Sequence, residues 1–180
     1  MATTAAPVSR RALQARSIAE AFRITAEDFP DRVAVRTKDD EISLTWGELR
    51  ERVDALAGGL AALGVQRGDT VALMLSNRPE FHLADLAVMS LGAVPFSIYL
   101  TSAPEQIAYV VEDAGAKVAI VEEEYLAKLP ELEHIVVLEG ERGEGTLAWA
   151  DVEPSQFDGL ILPGGHAPGM RQYLGSELLR

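Results

Sequence analysis

Apolar and polar residues follow one another along this chain with the two periods that distinguish helices from strands. Behind Thr45, apolar residues recur at spacings of three and four, which places them on one stripe of a helix: Leu49, Val53, Leu56, Leu60 and Leu63. Residues 70–75, in contrast, form a continuous apolar run, as expected of a strand that is covered on both faces. The pattern therefore predicts helices packed on a buried sheet.

Local signals predict where the helices begin and end. A Ser/Thr-x-x-Glu capping box opens a predicted helix at three positions: Ser17, Thr45 and Ser102. Asn77 offers a further cap, with Pro79 at the helix start. A glycine follows each of three predicted helices and can end it: Gly64, Gly92 and Gly115.

The order of these elements predicts the topology. Short apolar runs at Val33–Arg36 and at residues 42–44 flank the turn KDDE and predict a β-hairpin. From residue 70 to residue 138, strands and helices alternate, and crossovers of this length imply parallel strands. The predicted fold class is α/β, with a mainly parallel sheet and helices on both faces. Residues 139–156 lack apolar periodicity and are predicted to be a connector.

Composition and charge exclude several function classes. The chain has 180 residues, of which 48% are hydrophobic, and it has no cysteine, which excludes disulfides, zinc–thiolate sites and cysteine nucleophiles. Of its net charge of -12, most comes from residues 105–153, with 13 acids and 3 bases. That segment would repel a polyanion, so nucleic acid is not an expected partner. No apolar run approaches the roughly 18 residues of a membrane span.

The first 16 residues predict a leader rather than part of the fold. They include Arg10, Arg11 and Arg16, and no acid comes before Glu20. They lack the apolar core of a secretory signal, so a disordered leader is expected, with a transit peptide as the alternative. We expect a cytoplasmic protein.

The stretch FDGLILPGGHAPGM near the end of the chain poses the question of a nucleotide site. Gly164 and Gly169 have the spacing of the two glycines in a phosphate-binding loop. Met170 and Arg171 stand where lysine and Ser/Thr should follow, and Pro168 removes one N–H donor from the loop. The stretch is therefore predicted to be a turn after a strand, and not a nucleotide-binding loop.

The histidines and carboxylates do not predict a metal site. His82, His134 and His166 are too dispersed for a metal-binding spacing. His82 and His134 fall in predicted core elements, while His166 is the histidine best placed to face solvent or a ligand. The acidic residues 39–41 are expected to form a solvated turn.

Four segments of this sequence, in the same order along the chain, resemble one enzyme family. They are LTWGELRERVDALAGGLAALGVQRGDTVALMLSNRPEFHLADLAVMSLGAV, PFSIYLTSAPEQIAYVVEDAGAKVAIVEE, HIVVLEG and TLAWADV. Through these matches, residues 17–152 resemble the N-terminal part of the acyl-adenylate-forming enzymes. The pattern Ser-x-Tyr-x-Thr-Ser followed by Glu-Gln-Ile is similar to the long-chain fatty acid–CoA ligase branch. The resemblance implies an incomplete N-terminal subdomain of such an enzyme.

The resemblance also implies a reaction. Such ligases activate a fatty acid with ATP and Mg²⁺ as an acyl-adenylate, and then transfer the acyl group to coenzyme A. Their Thr-Ser-Gly-Thr-Thr-Gly-type ATP loop is expected shortly after WADV, and this sequence does not contain it. Thr101 and Ser102 do not belong to such a loop, because Ala-Pro-Glu follows them. We therefore expect no catalytic, cofactor-binding or metal-binding residue here. Fatty acid and coenzyme A are partners by resemblance only.

A second resemblance covers the end of the chain. The segment FDGLILPGGHAPGMRQYLGSELL resembles the DJ-1/PfpI class, which is similar to type 1 glutamine amidotransferases. In that class the Pro-Gly-Gly loop lines the pocket, and a backbone N–H there can help to stabilise an oxyanion. The resemblance makes Gly164, Gly165 and His166 the candidate pocket loop. The nucleophile of that class is a cysteine, which this chain lacks.

The predicted organisation has three parts: a leader at 1–16, a partial ligase-like subdomain at 17–152, and a DJ-1/PfpI-like tail at 153–180. Three functions remain open. The chain is a truncated ligase homologue that is inactive alone, an interaction module that pairs through an open sheet edge, or one part of a ligase completed by other segments. An exposed strand edge favours pairing with another chain.

Overall fold

The computed structural model describes residues 10–38, 40–141 and 143–153. Its strands and α-helices are, in chain order, α1 (Ile18–Asp28), β1 (Val33–Arg36), β2 (Ser43–Thr45), α2 (Trp46–Ala62), β3 (Thr70–Met74), α3 (Pro79–Ser90), β4 (Val94–Ser97), α4 (Pro104–Ala114), β5 (Val118–Val121), β6 (His134–Val137), β7 (Leu147–Ala148) and α5 (Trp149–Val152). Two 3₁₀ helices join them, at Ala12–Gln14 and Glu123–Lys128.

Two of the predicted helix starts are confirmed by hydrogen bonds. The Ser17 hydroxyl accepts from the Glu20 N–H at 3.1 Å. The Thr45 hydroxyl accepts from the Glu48 N–H at 3.2 Å, and the Glu48 carboxylate accepts from the Thr45 N–H at 2.8 Å. This reciprocal pair is a complete capping box. It also lowers the pKa of the Glu48 carboxyl, because the Thr45 N–H and hydroxyl favour the ionised form.

The other two predicted caps were placed one residue too early. The N-cap of α4 is Ala103 and not Ser102. The Ala103 N–H donates to the side-chain oxygen of Gln106 at 3.2 Å. The N-cap of α3 is Arg78 and not Asn77, with no side-chain hydrogen bond at the cap. In both helices proline occupies the first position, where its fixed φ suits a helix and its missing N–H costs nothing.

The sheet confirms the predicted α/β class. Five parallel strands lie in the order β4-β3-β5-β6-β7, and the hairpin β1–β2 forms a separate antiparallel pair. Helices connect β3 to β4 and β4 to β5, as the crossover lengths predicted. The predicted helix between β5 and β6 is instead the 3₁₀ helix Glu123–Lys128.

Successive residues of the central strands alternate between two apolar layers. In β3, Val71 and Leu73 face the layer that holds α2 and α3, whereas Ala72 and Met74 face α4. Strands β5 and β6 follow the same alternation. Helices therefore cover both faces, as predicted, and the α4 side is the more thinly covered of the two.

The predicted stripe of α2 faces the core. Four of its members are buried, and Leu63, at the end of the helix, is partly exposed. Gly64 follows with φ +91°, a left-handed conformation that glycine adopts without strain. The stripe explains why α2 and α3 make the most extensive helix contact of the described fold.

The predicted connector at 139–156 was wrong over its middle part. Residues 147–152 form β7 and α5, and both Trp149 and Val152 are buried. A two-residue strand and a four-residue helix are too short to create a period in the sequence, and their stability comes from tertiary packing. Residues 154–180, including the candidate loop Gly164, Gly165 and His166, lie outside the described residues, as does the predicted strand at 157–162.

The described structure begins before the predicted boundary at Ser17. Arg11 leads into the 3₁₀ turn Ala12–Gln14 and ion-pairs with Asp28 at 2.7 Å. This pair ties the segment ahead of α1 to the end of that helix. Among the described residues, no helix is both long and apolar enough to cross a membrane.

Candidate functional site

The carboxyl ends of β3 and β5 form the place where this sheet would hold a ligand. The chain runs from β3 outward to β4 on one side, then crosses back to β5 on the other, so the strand order reverses between β3 and β5. In open parallel sheets, such a reversal opens a crevice at the carboxyl ends of the strands, where ligands bind.

One arginine and three carboxylates, here termed the Arg78 cluster, occupy the crevice. Arg78 lies in the loop between β3 and α3 and contacts the Glu80 carboxylate at 2.8 Å. Glu122 follows β5 and lies 3.4 Å from the same guanidinium. Glu139 follows β6 and lies 2.8 Å away. The backbone N–H of Ser76 donates a further hydrogen bond to Glu122.

The environment favours the charged forms of Glu122 and Arg78. Burial opposes ionisation of Glu122, but the N–H and hydroxyl of Ser76, together with Arg78, outweigh it and lower the carboxyl pKa. Burial likewise disfavours the Arg78 cation, but its hydrogen bonds to Glu80 and Glu139 dominate and raise the guanidinium pKa. Glu122 and Arg78 therefore both keep their charges at neutral pH.

The Arg78 cluster does not fit a nucleotide triphosphate. Its single cation is matched by three carboxylates, so the cluster has an excess of negative charge and repels a polyanion. At the end of β4, Lys128 donates to the Leu100 carbonyl oxygen at 2.7 Å and lies 5.7 Å from the centre of the Tyr125 ring. Arg78 and Lys128 thus each hold a loop in place.

The two described histidines, His82 and His134, lie on different elements of the fold. His82 is exposed on α3, with its ring edge-on to Phe81 and next to the carboxylate of Asp85. His134 begins β6 and lies 4.0 Å from Glu133. The structure does not bring these two histidines together. Within the described residues, no group of three metal-ligating side chains is arranged to hold an ion.

Two cavities of the described structure lie away from the carboxyl ends of the strands. One, of about 70 Å³, is at the amino ends of β3 and β5 and includes Thr70, Lys117 and Glu133 in its wall. The other, of about 430 Å³, is an open groove between α4 and residues 130–132, with Glu112 and Glu131 at its rim. Neither combines a cation with a converging set of donors, as a phosphate site requires.

Sequence reasoning missed the Arg78 cluster. The stretch NRPE indicated a helix start and nothing more, because its partners Glu122 and Glu139 are 44 and 61 residues away. The available signal was that acids directly follow two predicted strands, in VAIVE and HIVVLE. Since parallel strands end at one edge, such acids can meet a cation from a third strand.

A sequence profile of the AMP-binding enzyme family matches residues 22–163 of this chain. The match extends past Val152, the predicted end of the ligase-like part, and includes residues 157–162.

This chain matches most of the length of one related protein but only a small part of another. The uncharacterized protein Rv1549 of Mycobacterium tuberculosis is 43% identical over 128 residues, which are 69% of this chain and 73% of that protein. The long-chain-fatty-acid–CoA ligase FadD15 of Mycobacterium bovis is 32% identical over 144 residues, which are 72% of this chain but only 24% of the ligase. The chain thus spans about a quarter of a complete ligase.

The fold is also found in solved structures. The anthranilate CoA ligase AuaEII, crystallised with anthranoyl-AMP, superposes with a TM-score of 0.71 at 25% identity, and the match covers 81% of this chain and 30% of that one. The parallel sheet with helices on both faces is therefore shared with an adenylate-forming enzyme. The chain belongs to the family of AMP-binding enzymes, as an N-terminal fragment of that domain homologous to acyl-CoA ligases.

Proposed function

We propose that this chain supplies the N-terminal α/β layer of an ATP-dependent long-chain acyl-CoA ligase fold and does not activate acyl groups by itself. The observation that carries the proposal is the Arg78 cluster, which fills the crevice where a parallel sheet holds its ligand. With that crevice filled, the described sheet acts as a scaffold.

The charge demands of acyl activation support this assignment. A carboxylate oxygen of the acid attacks the α-phosphorus of ATP, and pyrophosphate leaves, so cations must offset the charge of both reactants. Arg78 is engaged by three carboxylates, and Lys128 by a backbone carbonyl. The Thr-Ser-Gly-type loop of complete ligases is absent from the sequence.

Pyrophosphate exchange tests the proposal directly. The chain is incubated with ATP, Mg²⁺, radiolabelled pyrophosphate and fatty acids of several lengths, with FadD15 as the active control. We expect exchange with FadD15 and none above background with this chain. Saturable micromolar binding of ATP–Mg²⁺ by calorimetry, or acyl-dependent exchange, would overturn the proposal.

The division of the chain forms part of the same proposal. Residues 17–152 act as the ligase-like part, and residues 153–180 as a DJ-1/PfpI-like tail whose candidate pocket loop is Gly164, Gly165 and His166. The support for this tail is its sequence resemblance, and residues 153–163 also fall within the match to the AMP-binding enzyme family. We assign the protein to the cytoplasm, which cell fractionation with a tagged chain would check.

A further inference from the structure

The outer stripe of α4 is exposed although it is apolar at its centre. Tyr109 is 68% exposed and Val110 is 40% exposed, while Ile107 and Val111 of the same helix are buried against the sheet. Gln106 and Asp113 are also exposed and flank the two apolar residues at helical spacing. We name this set, Gln106, Tyr109, Val110 and Asp113, the α4 stripe.

The neighbouring edge strand is exposed on the same side of the sheet. Phe96 and Ile98 of the β4 region belong to the layer under α4, and Val94 shares their side by the two-residue alternation of a strand. Ile98 is buried, Phe96 is partly buried and Val94 is 53% exposed. Helix α4 therefore covers the end of β4 at Ile98 and leaves the end at Val94 exposed.

Strand pairing is poorly suited to cover this region. The N–H groups of Val94 and Ile98 donate to Asp69 and Leu73 of the β3 side, so alternate residues of β4 turn their N–H groups outward. One outward position is Pro95, which has no N–H to offer. An occupant must therefore pack on the helix and the sheet face instead of extending the sheet.

The α4 stripe is complementary to itself when two copies run antiparallel. A two-fold axis between Tyr109 and Val110 places Tyr109 opposite the second Val110, and Gln106 opposite the second Asp113. Gln106 accepts from the Ala103 N–H through its side-chain oxygen, so its amide NH₂ remains to donate to a carboxylate. Apolar contacts at the centre and two amide–carboxylate hydrogen bonds at the ends match this arrangement.

We propose that two copies of this chain associate through antiparallel contact of their α4 stripes, with Val94 and Phe96 at the margin of the contact. An 11-residue helix is about 16 Å long, so one helix face buries less than the roughly 800 Å² per partner of a standard interface. The dimer is therefore weak and reversible, with a dissociation constant on the order of 10–100 μM. This inference does not depend on the proposed function.

Sedimentation of the full chain between about 5 and 500 μM tests the dimer, and substitutions on the α4 stripe test its geometry. We expect the apparent mass to rise with concentration, and Tyr109→Ser to remove most of the rise. Gln106→Glu keeps an oxygen for the Ala103 N–H but places a carboxylate opposite Asp113 at both ends. It should weaken association by about threefold to tenfold.

A charge exchange identifies the antiparallel register. Combining Gln106→Glu with Asp113→Lys places opposite charges at both ends, and should restore association to at least the original strength at low salt. Leu13→Ser removes an equally exposed apolar side chain elsewhere, and Glu112→Gln changes charge on α4 outside the stripe, so both should leave association unchanged. Thermal unfolding of each variant checks that the fold is kept.

The results separate three outcomes. Concentration-dependent dimers that respond to Tyr109 and to the charge exchange support the proposal. A monomer at every concentration overturns it. A dimer that is insensitive to both changes also overturns it, and assigns association to another surface, such as one containing residues 154–180.

Discussion

At the scale of single residues, a glycine determines how closely α5 approaches α2. A Cβ added at Gly59 would lie 2.7 Å from the carbonyl carbon of Val152, too close for any side chain. Arg52 of α2 also holds α5 in place, because it contacts both oxygens of the Glu153 carboxylate, directly after α5, at 2.6 and 3.0 Å. The Trp149 indole N–H also donates to Glu153. These contacts hold α5 although it has only four residues.

Gly59→Ala should detach or displace α5. Alanine favours a helix by about 1 kcal/mol over glycine, but the clash with backbone atoms of Val152 cannot be relieved by a rotamer change. We expect a net loss of about 1–3 kcal/mol in the free energy of unfolding, measured by urea denaturation, together with a red shift of tryptophan fluorescence as Trp149 becomes exposed. Gly47→Ala is the matched control, since its Cβ would lie 3.3 Å from the Pro30 carbonyl oxygen. An equal loss in both variants would contradict the explanation.

A second residue-scale feature is the dependence of three loops on one guanidinium. Replacing Arg78 leaves Glu80 and Glu122, each 14% exposed, without their cation. Removing one partner of a largely buried ion pair costs more than the pair itself contributes, because the remaining charge stays desolvated. Arg78→Met should therefore lower the free energy of unfolding by about 2–4 kcal/mol.

The control for Arg78→Met is Arg36→Met. Arg36 lies 3.6 Å from Asp40, and both side chains are more than half exposed. Surface pairs of this kind contribute little, so we expect a change below about 0.5 kcal/mol. Urea denaturation of both variants gives the comparison. If the two losses are alike, the Arg78 cluster does not connect the loops as its distances indicate.

At the scale of elements, the sequence predicted helices and strands correctly where the apolar pattern extended over enough residues. The 17-residue helix α2 and its C-cap carry an apolar stripe of five positions, four of them buried, and the central strands form apolar runs in the sequence. Helix starts were predictable where a hydroxyl caps the helix, as at Ser17 and Thr45, and were one residue off where Pro79 and Pro104 supply the start without a capping side chain.

The elements that the sequence did not predict depend on contacts over long distances. Helix α5 is stable because Gly59 lets it approach α2 and because Arg52, 101 residues from Glu153, pairs with that acid. The Arg78 cluster likewise joins the ends of three strands. From the sequence alone, a glycine inside a helix indicates only a lower helix propensity, and an acid after a strand indicates only a solvated side chain. Their structural roles become visible only when the fold brings their distant partners into contact.

At the scale of the whole molecule, the acid excess should shift the pH of maximum stability below neutrality. The net charge of -12 at pH 7 destabilises the compact state through self-repulsion, which weakens as the pH falls towards the isoelectric point near 4.6. The partly buried carboxyl of Asp85 on α3 also shifts the pH of maximum stability below neutrality. Burial raises its pKa, against an opposing effect of His82, so the folded state binds a proton more readily than the unfolded state.

The signs of the two carboxyl shifts define the pH profile. The raised pKa of Asp85 means that stability falls as pH rises from the unfolded value, about 3.9, through the folded pKa. Glu122 has the opposite shift: its stabilising contribution is present above about pH 4.3 and is lost as pH falls through its lowered folded pKa. The midpoint temperature should therefore pass through a maximum between about pH 5 and 6.

Two substitutions separate these contributions. Asp85→Asn removes a carboxylate whose ionisation is disfavoured by burial, so it should raise the midpoint temperature at pH 7 and flatten the fall in stability above about pH 3.9. Glu122→Gln can still accept from the Ser76 N–H but has no charge for Arg78, so it should lower the midpoint at pH 7 and reduce the loss below pH 4. Differential scanning fluorimetry from pH 3.5 to 8 at fixed salt measures all three profiles. If Asp85→Asn lowers the midpoint at pH 7, its carboxylate is stabilising the fold, and the acid-shifted maximum must then come from net charge alone.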